Sequence, residues 1–226
     1  MTARFYIPFM VITDQILESQ PEAVRTQFNR WAPYLYDRLI FNMPDSEIHA
    51  MAHCERVLLH ALSMGYELMP DNLHAITALA HASIFHDTRR LDEYLDTGHG
   101  ARAAVYYTQY AAGHADVDFD ERAQYMMRYH DLDDTNGIAA IEARWDADTP
   151  EGREAKLLYA IFKDADALDR WRLGSLGLDP KYLRTEAARN RVQYAKELVD
   201  KTMDPDLLQE IDKAVKASIE KQKNIK

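Results

Sequence analysis

Residues 75–85, AITALAHASIF, are apolar on nearly every face, and the run stops at His86-Asp87 with Arg89 and Arg90 close behind. A helix that is apolar all round has no side to give to solvent, so it belongs in the middle of a domain. Other helices must then surround it. Its last turn delivers an imidazole and a carboxylate to a buried place, and strong positive charge follows at once.

The flanking sequence supplies those helices. Asp71 or Asn72, after Pro70, is the expected N-cap of the central helix. Asp45 or Ser46, after Pro44, is expected to cap a preceding helix that runs to about Met64 and stops at Gly65. RRLDEYLDTG reads as a loop or short helix. Residues 99–112 form the next helix, closed by Gly113, and DFDERAQYMMRYH gives another. DLDDTNG reads as a turn. Thr149 caps a long helix with Pro150 at its first position. One or two charged helices follow Gly177. The start, FYIPFMVI, is strand-like but has no clear partner strand. The expected fold is all-α, a single domain over residues 1–226, with a helical extension from about residue 178 onward.

Composition narrows the function. The chain has 226 residues and a formal charge of −10. No Lys/Arg run offsets that charge locally, which argues against polymeric nucleic acid as a partner. A single cysteine, Cys54, excludes an internal disulfide or a Cys-based zinc motif and suits a reducing compartment. The N-terminal apolar run is broken by Pro8 and is too short to span a bilayer. These features predict a cytoplasmic protein with no membrane partner. Self-association into a homo-oligomer stays open.

Several polar residues are out of keeping with the helices that carry them. His49, His53 and His60 are expected on one face of the first helix, at separations of four and seven. His86 and Asp87 end the central one. His99 and His130 lie at helix ends with apolar residues on their own faces. Asp164 and Asp166 sit in the otherwise apolar YAIFKDADALDRW. A buried carboxylate without a partner costs several kcal/mol or takes up a proton, so neighbouring buried carboxylates call for a compensating charge. Imidazole with carboxylate suits Fe, Mn, Co, Ni or Zn. Plainer explanations exist for each residue alone. Asp164, Asp166 and Asp169 can pair with Lys163 and Arg170, and Arg89 and Arg90 can serve the helix dipole.

The ordered series is more specific than any of its members. HCERV from His53, then FHDTRR, TGHGARAA, RYHDL and KDADALD resembles the HD-domain superfamily of metal-dependent phosphohydrolases, over about residues 45–172. Arg56 and Val57 follow His53 as they do in that family, and Ala165, Asp166 and Leu168 match its final Asp setting. Thr88-Arg89 replaces the Ile-Gly common there. The resemblance implies an HD-like helical bundle in which His53, His86, Asp87 and Asp166 hold a divalent metal. It favours Asp166 over Asp164, and in members of the family with two ions Asp87 bridges to the second, for which His99 and His130 match the further ligands; one ion or two stays open. Asp87 would orient the attacking water, Arg90 would act on the reacting phosphoryl group, and Arg89, Arg90 and Lys163 would meet the substrate. That substrate would be a small nucleotide or other phosphorylated metabolite. Two alternatives stand beside hydrolysis: an HD-fold di-iron oxygenase of a polyol, and a non-catalytic nucleotide-sensing module.

Overall fold

A computed structural model describes residues 10–223. Among them the chain is entirely helical, with no strand. The strand-like start falls mostly outside the described residues. Within them, the Val11 and Ile12 amides donate to the buried Glu55 carboxylate at 2.8 and 2.9 Å.

The helices run α1 (Asp14–Glu18), α2 (Glu22–Arg38), α3 (Met51–Leu68), α4 (Leu73–Phe85), α5 (His99–Gly113), α6 (Glu121–Tyr129), α7 (Asp134–Arg144) and α8 (Pro150–Leu168). A 3-10 segment, Asp169–Leu173, continues α8 directly, and after a second, Pro180–Tyr182, come α9 (Glu186–Arg189), α10 (Val192–Thr202) and α11 (Pro205–Lys223). The central helix is α4. Its residues from Ala75 to Phe85 are buried except Thr77, and α2, α3, α5, α6 and α8 all pack on it. Asn72 caps it by accepting the Ala75 amide, and Thr149 caps α8 by accepting from Gly152. Ala195 and Leu198 of α10 enter the same apolar core as α3 and α8. No helix among the described residues is long and apolar enough to cross a membrane.

Three local expectations are corrected. The helix carrying His53 starts at Met51, because residues 43–50 make turns in which Ser46 Oγ accepts the Ile48 and His49 amides. His49 therefore lies before the helix. Gly65 does not stop α3. It sits inside, where a Cβ would collide with Ile76 and Leu79 of α4, so it sets how closely the two helices approach. DLDDTNG is not only a turn: α7 begins at Asp134, and its Gly137 packs against the Tyr159 ring where no larger side chain fits.

Candidate metal centre

Five helices bring one residue or two each to a common point. α4 ends at Phe85, and His86 is its C-cap, still in helical conformation with its amide donating to Ala82 O. The next turn is fixed by Thr88, whose amide and Oγ1 both bond Phe85 O, and by Asn42 N donating to Thr88 O. Asp87 is thus held against the end of the rigid central helix. His53 comes from the first turn of α3, Asp166 from α8, and His99 is the first residue of α5. His130 is the C-cap of α6. All are buried except Asp166, whose side chain is 25% exposed and gives the cluster its outward face.

Their nitrogen and oxygen atoms converge. His53 Nε2 lies 3.1 Å from His86 Nε2, 3.4 Å from Asp166 Oδ1 and 3.6 Å from Asp87 Oδ2. On the other side, His99 Nε2 lies 2.8 Å from His130 Nε2 and 3.0 Å from Asp87 Oδ1, and His130 Nε2 is 3.5 Å from that same oxygen. Two donor groups able to hold an ion result, His53–His86–Asp166 and His86–Asp87–His130, each with its ligand atoms within 4.8 Å of one another. His99 lies outside both groups and touches the second through Asp87 and His130.

Each imidazole is oriented from behind. His53 Nδ1 is 2.7 Å from Asp169 Oδ2, His86 Nδ1 2.9 Å from Ser83 O, His99 Nδ1 2.6 Å from Asp96 O and His130 Nδ1 2.7 Å from Met127 O. Those four partners only accept, so each Nδ1 carries a proton, and a ring in its neutral form presents its Nε2 lone pair to the cluster. Lone pairs then face one another, and Asp87 Oδ1 has no hydrogen-bond donor although it is buried. Between His53 and His86, bare acceptors opposed at 3.1 Å repel unless a cation lies between them; on the other side Arg90 Nη1 stands 3.3 Å from His99 Nε2. Burial pushes the His86 imidazole down to about 3, so it is neutral and suited to ligation. Burial opposes charge on the Asp87 carboxylate, and imidazoles that offer lone pairs do not offset it. The donor set fits a divalent transition metal.

α5 and α6 meet closely enough for this only because of a glycine. A Cβ at Gly100 would overlap Met127 O, Asp131 and His130 Nδ1. Gly98, with φ of 95°, starts the helix one residue before His99 in a conformation few other residues adopt.

The other expected residues separate. Asp164 is fully buried but faces away from the cluster, accepting from the Arg184 and Thr185 amides and from the Thr185 hydroxyl. Arg90 is buried with Nη1 3.8 Å from Asp87 Oδ1 and 3.3 Å from His99 Nε2, its other nitrogens held by the carbonyls of Asp92 and Tyr94. Arg89 turns away: its guanidinium lies over the Tyr106 ring and donates to Ile40 O. Lys163 donates to His130 O and Leu132 O at 2.7 and 2.9 Å, bracing the His130 turn from outside rather than facing the cluster. His60 lies in the core beside Tyr194 with neither nitrogen bonded.

Four residues near the cluster were not expected there. Asp169, fully buried, takes two hydrogen bonds from Arg56, one from His53, and an ion-pair contact from Arg172, in place of the anticipated Lys163 or Arg170. His49 Nδ1 stands 3.5 Å from Asp87 Oδ2 and 3.4 Å from Arg172 Nη2. The one sequence signal for Asp169 was its place three residues beyond Asp166, one helical turn on. No protein-family model, no curated protein and no solved structure matches this chain.

Proposed function

We propose that this protein is a metal-dependent phosphohydrolase acting on a small phosphorylated metabolite. The observation that supports this most is the set of imidazole Nε2 lone pairs turned onto Asp87 and Asp166, each with its Nδ1 tied to an acceptor behind it. His53, His86, Asp87 and Asp166 would hold the first ion, and Asp87 Oδ1 with His130 and His86, and His99 alongside, a second. A divalent metal supplies a water acidified to about neutral pH and polarises a phosphoryl oxygen. Asp87, whose two oxygens face the two halves of the cluster, would orient the nucleophile. Arg90, fixed by two carbonyls and set beside Asp87, places a guanidinium where charge gathers on the transferred group. Asp166, the most exposed ligand, marks the side from which substrate enters.

One observation favours the second reading, oxidation of a polyol at a di-iron centre. With Arg89 and Lys163 turned elsewhere, the basic surroundings are thinner than the sequence implied. Protein loaded with manganese or iron, assayed for phosphate release over nucleotides and sugar phosphates and for oxygen uptake with polyols, decides between them. Chelator-sensitive phosphate release is the expected result; oxygen uptake without phosphate release overturns it in favour of the oxygenase.

A further inference from the structure

We infer that Asp169 is a positioning residue that makes His53 the strongest imidazole donor of the cluster and the His53–His86–Asp166 position the tighter of the two for metal; this rests on the metal-centre reading above. Of the histidines turned onto Asp87 from α3, α4, α5 and α6, His53 alone has a carboxylate within hydrogen-bond distance of Nδ1, Asp169 Oδ2 at 2.7 Å; the carboxylate behind His99, Asp131 Oδ2, stands 3.6 Å from its Nδ1. Ser83, Asp96 and Met127 back the other three with neutral carbonyl oxygens. A carboxylate accepting the Nδ1 proton draws it further from the ring than a carbonyl does, and electron density on Nε2 rises accordingly.

Asp169 is itself held from three directions, so it cannot turn away. Arg56 grips both of its oxygens, Nε to Oδ1 at 2.5 Å and Nη2 to Oδ2 at 3.1 Å. Arg172 Nη1 approaches Oδ2 at 3.6 Å, and its Nε is anchored on Ile48 O. Arg56 lies on α3 one turn beyond His53, and Asp169 lies one turn beyond Asp166 where α8 passes into its 3-10 extension. Ligands and support therefore travel as two pairs, His53 with Arg56 and Asp166 with Asp169, which cross between two packed helices. The carboxylate is shielded from solvent, with its charge balanced locally, so nothing competes for the Nδ1 proton. The second position has weaker support, because Asp131 Oδ2 stands 3.6 Å from His99 Nδ1 and already accepts the Gly98 amide. That position must share Asp87, and the Arg90 guanidinium stands beside it as a competing positive charge.

The test is metal titration of the full-length chain, stripped with chelator, using Zn(II) and Co(II) alone as probes. Wild type is expected to fill in two steps of unequal affinity. Asp169→Asn is expected to weaken the tighter step by about 10- to 100-fold and leave the weaker one in place. Excess metal should restore activity with substrate KM unchanged, which a residue needed only for folding would not allow. Because Asp169→Asn leaves Arg56 without its anion and can fail to fold, nitrogen-15 histidine NMR of Zn-loaded wild type gives a second readout: one Nδ1 proton, lost in His53→Gln, should lie well downfield of the others. Equal affinities in wild type and folded Asp169→Asn, or His Nδ1 protons all at one shift, overturn the inference. Failure of wild type to bind either metal overturns the metal-centre reading itself.

Discussion

Behind His53 stand a carboxylate at hydrogen-bond distance and two guanidinium groups; behind His99 and His130 stand backbone carbonyls at that distance and a glycine, with the Asp131 carboxylate farther from His99 at 3.6 Å. The first half of the cluster is built from charged side chains buried in helix interiors, where each must be satisfied by another. The second is built from helix ends, where spare carbonyls are already available to orient an imidazole. The two constructions fail differently. The first is sensitive to charge and the second to backbone spacing.

The largest effect is expected where the halves meet. His86 belongs to both donor groups. His86→Ala should reduce bound metal to background and abolish turnover while helical circular dichroism is kept. Retention of full metal occupancy by that variant would remove the ligand assignment. Gly100→Ala probes the second half. Alanine gains about 1 kcal/mol of helix propensity over glycine, but its Cβ must displace Met127 O, a backbone atom that cannot swing aside. Overpacking of this kind costs about 1–3 kcal/mol, so thermal stability should fall, and the second equivalent of metal should be lost with the first retained. An unchanged second equivalent would show that α5 and α6 can part without cost to the site.

A smaller effect separates the two arginines. Arg90→Ala should lower kcat/KM for phosphorylated substrate by about 100-fold, the scale for removing one donor to developing charge, without release of metal. Arg89→Ala should leave kcat/KM nearly as it was and cost only about 0.5–1 kcal/mol from the lost contact over Tyr106. Equal kinetic losses in both would return Arg89 to the substrate side.

The sequence showed the central helix, the histidines and Asp87 because each breaks a local pattern: a polar group at the end of a run that is apolar all round. It did not show Asp169 as a partner of His53, which lies far off in sequence on another helix. Buried ion pairs between distant elements leave no periodic trace. The resemblance favoured Asp166 over Asp164, both of which lie on one helix and are buried wholly or in part. What separates them is the loop before α9, whose Arg184 and Thr185 amides take Asp164. Helix α7 was hidden by DDTNG, whose composition suits turns and N-caps alike.

The smallest effect lies outside the cluster, at His60. It is fully buried, neither nitrogen has a partner, and burial pushes its imidazole down to about 4 from an ordinary 6.5. The unfolded chain therefore binds a proton before the folded one does. Stability from keeping His60 neutral is fully present above about pH 6.5 and falls progressively as pH drops through about 4. His81 is lowered to about 4 as well and titrates in the same window. His60→Leu should move the midpoint of acid unfolding to lower pH, and His81, which keeps a bond to Tyr107, should account for what acid sensitivity remains. An unmoved midpoint would mean that His60 does not limit acid stability.

Elemental analysis of the wild-type chain, purified without chelator and dialysed against metal-free buffer, tests the central claim most directly. The imidazole lone pairs facing Asp87 and Asp166 predict about one tightly held equivalent of Fe, Mn, Co, Ni or Zn per chain, rising toward two when the metal is supplied in excess. Protein that stays metal-free after incubation with each of these ions in excess would contradict it.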